Sequence, residues 1–267
     1  MSDFTPELSA GHSGQVVVVT GGTLGLGEAT ARLLAERDAA GLVIVGRDRE
    51  RGAAVAESLT SQGCRTVFVQ ADLADADACK TVIATTESEF GRIDGLANVA
   101  ALTDRGTVWD TTVEEWDRMM AINLRAPFLL LQGAVDVMQR NGTPGSIVTV
   151  GSVAGEGGAP SLLPYSVSKG GLQAMTKNAA FSLARHRIRV NLVQLGWMNT
   201  PNEHKVQVEQ EGQPDGWLAA AAAEQPFGRL IEVAEASRVL SYLLSTESGM
   251  MTGAIIDFDQ SVIGAGV

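Results

Sequence analysis

Cysteine and histidine are scarce in this sequence, which limits metal and disulfide chemistry. The chain has two cysteines and three histidines in 267 residues. Cys64 and Cys79 do not have the spacing of a zinc-binding pair, and the histidines are scattered. We therefore expect no metal site. Free thiols are typical of proteins in a reducing compartment, so we expect the protein to be cytoplasmic.

Basic charge and long apolar runs are also lacking. The chain carries 20 Lys and Arg against 31 Asp and Glu, a formal net charge of −11. Without a basic stripe to displace counterions, we expect neither nucleic acid nor an anionic membrane as a partner. No apolar run reaches the roughly 20 residues that a membrane helix needs. Residues 1–14 lack the features of a signal peptide and are predicted to be a flexible leader.

What the chain does have is a regular alternation of apolar strands and helical patterns. Residues 15–267 are long and apolar enough for a single α/β domain. β-Branched runs such as 15–20 are typical of parallel strands that are buried on both faces. We predict a doubly wound parallel sheet of about seven strands, with helices on both faces. The long polar insert 196–226 is predicted to be a substrate lid.

A glycine-rich turn follows the first predicted strand. It reads Thr-Gly-Gly-Thr-Leu-Gly-Leu-Gly over residues 20–27 and leads into a helical pattern. Its glycines allow a tight turn and a close approach of a ligand to the backbone, and a helix N-terminus attracts a pyrophosphate. Strand, turn and helix together predict a dinucleotide-binding Rossmann domain. The alternative is a turn that is merely tight.

The end of the second strand bears on which dinucleotide is bound. An acidic residue there would bind the ribose 2′-hydroxyl of NAD, but the sequence has Gly46 followed by Arg47. A guanidinium suits a 2′-phosphate, so Arg47 predicts NADP(H) rather than NAD(H). The alternative is a solvent-exposed arginine at a helix start. Asp72, after the third strand, either caps the next helix or contacts the adenine.

A second group of polar residues lies further along the chain. Tyr165 and Lys169 are four residues apart in a helical pattern and so share one face. A nearby ammonium should lower the tyrosine pKa from about 10 and allow proton exchange with an alcohol or carbonyl oxygen. Ser152 ends a buried strand and could bond the same oxygen. Asn123 sits unfavourably inside a predicted helix over 112–140, where it either faces solvent or holds a water. Alone, Tyr-x-x-x-Lys is more typical of an ordinary helix start.

Together these motifs resemble the classical short-chain dehydrogenase/reductase family over nearly the whole chain. The matching residues are Thr20-Gly21-x-x-x-Gly25-x-Gly27, Asp72-Leu73, Asn98-x-Ala100, Asn123, Ser152, Tyr165-x-x-x-Lys169 and Thr252-Gly253. The resemblance implies a catalytic tetrad, with Tyr165 as acid/base and Ser152 orienting the substrate oxygen. Lys169 would lower the tyrosine pKa and hold the nicotinamide ribose, and Asn123 would support a water-linked proton relay.

The resemblance also implies the cofactor contacts and the assembly. The expected cofactor-binding residues are Gly21, Thr23, Leu24, Gly25, Leu26, Gly27, Arg47, Asp72, Leu73, Asn98, Ala100, Tyr165, Lys169, Gly196, Met198 and Thr200. The helices predicted over 112–140 and 164–185 carry more apolar residues than one side of a sheet can cover. This excess and the resemblance both predict a homotetramer.

The predicted function is an NADP(H)-dependent interconversion of a secondary alcohol and a ketone or aldehyde. The expected substrate pocket comprises Ser152, Ala154, Leu162, Trp197 and Trp217, although the tryptophans would equally suit core packing. An apolar floor with polar edges suits a compact neutral cyclic ketone or a sugar or polyol derivative. Acids in the lid should repel an anionic substrate unless Arg105 or Lys205 turns inward.

Two other functions remain possible from the sequence. One is a 3-oxoacyl-carrier-protein reductase, which the strong negative charge makes less favourable because carrier proteins are acidic. The other is a non-catalytic dinucleotide sensor, which the presence of both Tyr165 and Lys169 disfavours, since fold alone does not decide function.

Overall fold

Seven parallel strands form one sheet at the centre of the structure. The computed structural model describes residues 11–262 of the chain. The strands of the sheet are β1 (Val16–Thr20), β2 (Gly41–Gly46), β3 (Thr66–Gln70), β4 (Gly95–Asn98), β5 (Gly145–Ser152), β6 (Ile188–Leu195) and, after two short strands described below, β9 (Ile255–Phe258). Their spatial order is β3-β2-β1-β4-β5-β6-β9, and every neighbouring pair is parallel. The predicted doubly wound fold is confirmed.

Helices cover both faces of this sheet. They are α1 (Gly25–Glu36), α2 (Arg49–Ser61), α3 (Ala76–Phe90), α4 (Val113–Met120), α5 (Ala126–Asn141), α6 (Leu163–Leu183), α7 (Pro201–Glu209), α8 (Trp217–Ala223) and α9 (Val233–Leu244). Alternate side chains of β1 fill two separate cores: Val17 and Val19 pack with residues of α1, α2 and α9, whereas Val18 packs with residues of α3, α5 and α6. The continuous valine run is therefore buried on both faces, as the sequence predicts.

The sheet topology determines where a ligand can bind. β1 lies between β2 and β4, so the chain reverses its winding direction at the centre of the sheet. In open α/β sheets, ligands bind at such a reversal, outside the carboxyl ends of the strands. The glycine-rich turn after β1 and Ser152 at the end of β5 both lie at that edge.

The helix predicted over 112–140 is interrupted. A π-helical turn, Ala121–Arg125, separates α4 from α5, and the Ala126 N–H bonds the Ala121 carbonyl five residues back. Pro127 explains the interruption, because it has no N–H to bond the Asn123 carbonyl four residues before it. The Asn that was unfavourable in a regular helix thus sits in a local distortion of the backbone.

Part of the segment predicted as a leader contacts the domain. Residues 1–10 of the predicted leader lie outside the described residues. His12, however, is fully buried, with its ring nitrogens 2.7 Å from Gln15 Oε1 and 2.9 Å from Ser241 Oγ. The second of these contacts joins His12 to α9.

The segment predicted as a lid, 196–226, has more structure than expected. It contains two helices, α7 and α8. The Thr200 side chain caps α7 by accepting from the Glu203 N–H, and Pro201 follows the cap. Thr-Pro-x-Glu is a helix-start signal that could have revealed α7. A two-stranded pair, β7 (Met198–Asn199) and β8 (Ile231–Glu232), joins the segment to the domain.

Within residues 11–262, no helix combines the length and apolar character that crossing a membrane requires. In the same part of the chain, His, Cys, Asp and Glu side chains form no group of three or more that could hold a metal ion.

Candidate active site

A cleft of about 690 Å³ opens at the carboxyl ends of the central strands. All the residues expected to contact a cofactor line it, except Asn98 and Gly196. Asn98 lies in the sheet with 3% of its surface exposed, and a side chain on Gly196 would overlap Asp259. The cleft also includes Asp48, Arg51, Thr103, Pro201 and Asn202, which the sequence did not single out.

The glycine-rich turn forms one wall of this cleft. Gly21 has a φ of +67°, which glycine adopts without strain, and a Cβ on Gly27 would overlap the Gly21 carbonyl. No side chain caps α1, because Leu24 stands at its N-cap position. The first N–H groups of α1 are therefore available to an acceptor in the cleft, which fits a pyrophosphate.

Two arginines lie where β2 ends. Arg51 pairs with Asp48 at 2.5 Å, and Asp48 also caps α2. Arg47 is exposed in the cleft and makes no salt bridge with any residue between 11 and 262. Gly46 leaves no space for an acidic side chain, because its Cβ would lie 2.7 Å from Thr23 Oγ1. The charge at this end of the cleft thus fits an anionic group better than a ribose diol.

Asp72 had two possible roles, and the structure distinguishes them. Asp75, not Asp72, caps α3 by accepting from the Asp77 N–H. Asp72 instead accepts from the Ala74 N–H at 3.0 Å and pairs with Arg118 at 3.3 Å. Because Asp72 also lines the cleft, it is placed to contact a bound ligand.

Ser152, Tyr165 and Lys169 come together where β5 meets α6. The Lys169 ammonium donates to the Val150 carbonyl at 2.7 Å and lies 5.6 Å from the centre of the Tyr165 ring. Ser152 lies close enough to the Tyr165 hydroxyl to lower its pKa. Both Tyr165 and Lys169 line the cleft, so a phenol and an amine adjoin the same cavity.

The pKa values of this cluster differ from the expectation. Burial raises the pKa of Tyr165 above 10.0, and the neighbouring Ser152 hydroxyl opposes this rise. The charge of Glu203 also raises the pKa, whereas the charge of Arg105 lowers it. Burial lowers the pKa of Lys169 to about 8. Desolvation by burial is therefore the largest influence on the phenol, and the Lys169 ammonium, 5.6 Å from the ring centre, does not reverse its direction.

Asn123 holds a neighbouring loop against α6. Its side-chain oxygen accepts from the Leu102 N–H at 2.8 Å, and its amide donates to the Leu102 carbonyl at 2.9 Å and to Ser168 Oγ at 3.2 Å. Ser168 in turn donates to the Tyr165 carbonyl at 2.6 Å. With 1% exposure, Asn123 does not face solvent. Its side chain instead positions the cleft-lining loop relative to Tyr165.

The residues expected to form the substrate pocket are not among those that line the cleft. Trp217 is 4% exposed and belongs to a small core of the lid segment with Ala221 and Leu230. Its ring stacks on Trp197 at 5.8 Å, and its N–H donates to His204 at 2.9 Å. The tryptophans thus stabilise the lid segment, which is the core-packing alternative that the sequence left open.

Comparisons with known proteins agree with this geometry. A family model described as enoyl-(acyl carrier protein) reductase matches residues 21–261. The chain is 35% identical over 246 residues to the cis-4-hydroxycyclohexanecarboxylate dehydrogenase of Sinomonas cyclohexanicum, covering 92% of this chain and 95% of that protein. It is 33% identical over 243 residues to the NADP-dependent (R)-specific alcohol dehydrogenase of Lentilactobacillus kefiri, covering 90% and 93%.

A solved structure extends the likeness to the fold. The structure of L-sorbose reductase from Gluconobacter frateurii, complexed with NADPH and L-sorbose, matches this one with a TM-score of 0.89 and 26% sequence identity. The match covers 97% of this chain and 100% of the reductase chain. With the parallel sheet, the glycine-rich turn and the Tyr165–Lys169 cluster, these matches show that the chain belongs to the classical short-chain dehydrogenase/reductase family of oxidoreductases.

Proposed function

We propose that this chain is an NADP(H)-dependent oxidoreductase that interconverts a secondary alcohol and a ketone or aldehyde. One observation carries the proposal: the uncapped start of α1, the exposed Arg47 and the Tyr165–Lys169 pair all line a single cleft. The names of two relatives support the phosphorylated cofactor, since one is NADP-dependent and the other is complexed with NADPH.

The residues present fit such a cofactor. The N–H groups at the start of α1 would bind its pyrophosphate, and Arg47 would bind its 2′-phosphate. Asp72 and Leu73 would contact the adenine, and Lys169 the nicotinamide ribose. A bound nicotinamide supplies or accepts the hydride, which the protein's own side chains cannot do.

The protein's residues would manage the proton and the substrate oxygen. Tyr165 would donate its hydroxyl proton to the carbonyl oxygen during reduction and take a proton from the alcohol during oxidation. Ser152, which lies close enough to the phenol to lower its pKa, would bind the same oxygen. The Lys169 charge would favour the phenolate once the cleft is filled. Asn123 would keep the loop around Leu102 in place, with the distorted backbone at the π turn available to a water.

A compact neutral carbonyl compound, either cyclic or polyhydroxylated, is the proposed substrate. The names of the relatives include a ring alcohol that bears a carboxylate and a sugar, which supports a cyclic or polyhydroxylated substrate, while the neutral charge rests on the acids of the lid. The carrier-protein alternative is supported by the description of the family model and by the name of a relative, the 3-oxoacyl-[acyl-carrier-protein] reductase of Thermotoga maritima, which is 34% identical to this chain. The net charge of −11 opposes docking of an acidic carrier. A purely sensing role would leave Tyr165 and Lys169 without a function.

We also propose a homotetramer in the cytoplasm. Phe128 on α5 and Val167 and Phe181 on α6 are exposed, and Phe181 has 90% of its surface accessible. Such an apolar face suits contact with a second copy of the chain. Cys64 and Cys79 are buried free thiols, which fits a reducing compartment.

Replacing the tyrosine tests the proposed chemistry. Alcohols and ketones would first be screened with NADP(H) and NAD(H) by nicotinamide absorbance. Tyr165→Phe should then lower kcat by about two to four orders of magnitude, because a positioned acid/base group is lost. NADPH binding, measured by fluorescence titration, should change little. Tyr242→Phe, on the outer side of α9, is the matched control and should keep full activity. A Tyr165→Phe enzyme within tenfold of wild type would contradict the assignment.

A further inference from the structure

Arg105 is held close to the start of the helix that carries Tyr165. Its neighbour Gly106 donates to the Ser161 carbonyl at 2.9 Å and accepts from the Leu163 N–H at 3.0 Å. The Arg105 side chain is 21% exposed and fixed from two sides, with Nη1 bonding the Thr103 carbonyl at 3.0 Å and Nε bonding Glu211 at 2.5 Å. The guanidinium is therefore a constrained group, not a mobile surface charge.

Glu203 approaches the same place from the predicted lid. It lies in the first turn of α7, and its side chain is 15% exposed. Its Oε1 accepts from the Trp197 indole N–H at 2.9 Å and from the Gln207 amide at 2.9 Å. The stacked tryptophans of the lid core thus hold this carboxylate in position.

The two charged groups face each other without closing a hydrogen bond. Arg105 Nη2 is 3.6 Å from Glu203 Oε1, which is too far for a hydrogen bond. Within residues 11–262, Nη2 donates no hydrogen bond to any acceptor. Asn202 donates to Thr103 at 3.0 Å, which joins the lid to the loop at the edge of the cleft. Arg105 Nη2 and the Glu203 carboxylate therefore lie on opposite sides of the junction between the loop and the lid.

Both charges also act on the Tyr165 phenol. Glu203 raises its pKa, whereas Arg105 and Ser152 at the end of β5 lower it, and Lys169 on the same helix lies over the ring. Thr103 and Asn202 line the cleft, and Arg105 and Glu203 each lie within two residues of one of them, so the pair adjoins the space that a compact substrate would fill.

We propose that Arg105 and Glu203 determine substrate specificity by binding a hydroxyl group of a neutral hydroxyketone. A hydroxyl is both donor and acceptor, so its oxygen can accept from Arg105 Nη2 while its proton is donated to Glu203. The 3.6 Å separation needs to widen little to admit an oxygen at roughly 2.8 Å from each group. This inference rests on the proposed function, because it assigns the substrate of the same site.

The charge of the surroundings argues against a carboxylate at this position. Arg105 is already paired with Glu211 and faces Glu203, so the group carries one positive and two negative charges. A substrate carboxylate would meet Arg105 but would also be repelled by both acids. An unsubstituted ketone would leave the pair without a partner, and a site built to bond a hydroxyl discriminates against an analogue that lacks it.

A series of ring ketones tests the proposal with NADPH and the intact enzyme. Cyclohexanone is compared with 3- and 4-hydroxycyclohexanone and with 3- and 4-oxocyclohexanecarboxylate. At least one hydroxyketone should exceed cyclohexanone in kcat/KM by about 10- to 100-fold, the range of a hydrogen bond to a charged group. Both carboxylates should fall below cyclohexanone. A carboxylate as the best substrate, or no preference for a hydroxyl, would overturn the proposal.

Two variants separate specificity from a structural role. Glu203→Gln and Arg105→Gln should each remove the hydroxyketone advantage and leave cyclohexanone turnover within a few-fold of wild type. Glu203→Gln should also improve the carboxylates relative to cyclohexanone, whereas Arg105→Gln should worsen them. Glu209→Gln, which removes an exposed acid of the same helix, is the control and should leave all the ratios unchanged. An equal loss on every ketone would mean that the pair only stabilises the lid.

The pH dependence of cyclohexanone reduction provides a second readout. In the plot of reduction rate against pH, the rate should change where Tyr165 ionises. Removing the negative charge of Glu203 should move this change to lower pH, and removing the positive charge of Arg105 should move it to higher pH. A change that stays at the same pH in both variants would show that the pair does not face the phenol. Failure of the proposed function itself would look different, because wild type would then reduce none of these ketones with either nicotinamide cofactor.

Discussion

Replacing Arg47 by alanine should remove most of the preference for NADPH over NADH. Arg47 lies in the cleft at the end of β2 and forms no ion pair in the described part of the chain, whereas Arg51 is already bound to Asp48 at 2.5 Å. A charge-assisted bond to the 2′-phosphate contributes about 1.5–3 kcal/mol. At about 1.4 kcal/mol per factor of ten, the ratio of kcat/KM values should fall roughly 10- to 150-fold.

The structure also decides how this experiment should be designed. Introducing an acidic residue by Gly46→Asp would be the obvious way to favour NADH. A Cβ at that position, however, would lie 2.7 Å from Thr23 Oγ1 and 2.8 Å from its Cγ2. Because Thr23 itself lines the cleft, its displacement would perturb the site for both cofactors. Arg47→Ala alone, and then with Arg51→Ala, avoids this overlap and shows whether the second guanidinium substitutes for the first.

The assay is steady-state turnover of one ketone with NADPH and with NADH. Arg49→Ala is the matched control, since Arg49 begins α2 but is not among the residues lining the cleft. Its NADPH/NADH ratio should equal that of wild type. The reasoning would be refuted if wild type used both cofactors equally, or if folded Arg47→Ala kept its ratio within twofold.

Two further predictions concern stability and assembly. Burial lowers the pKa of His12 below 6.5, so the unfolded state binds its proton more readily. The free energy of unfolding should therefore fall as pH falls below about 6.5, by at most about 1.4 kcal/mol per pH unit from this group. In urea titrations between pH 5 and 8, His12→Gln should reduce this dependence of the free energy on pH. An unchanged pH dependence in the variant would contradict the prediction. Light scattering should give about four times the chain mass of 28.0 kDa, and Phe128→Glu should reduce it. A monomeric wild type at micromolar concentration would exclude the proposed assembly.

Local patterns in the sequence were enough to predict the fold and most of the cleft. The β-branched run 15–20, predicted to be a strand, forms β1 (Val16–Thr20) in the structure, because a run of this kind between turn signals depends on its immediate neighbours. The same holds for the glycine-rich turn and for Tyr165 and Lys169, whose shared face follows from helical periodicity alone. In a doubly wound sheet, strand ends meet at one edge, so these distant motifs could be assigned to one cleft.

Properties that depend on contacts between distant residues could not be read in this way. The interruption around Asn123 has a local signal in Pro127, but its purpose depends on the bonds to Leu102 and Ser168. Trp217 proved to be a core residue of the lid segment because its N–H bonds His204 and its ring meets Trp197. Such pairings arise only when the chain has folded.

The sequence by itself determined the family and the parallel, doubly wound fold, since these follow from motifs, short-range periodicity and turn chemistry. Only the tertiary structure decided the electrostatics of the site. The rise in the Tyr165 pKa comes first from burial, which no residue spacing reports. The approach of Arg105 and Glu203 to that phenol likewise required the loop after β4 and the first turn of α7 to converge, because charges act through space and not along the chain.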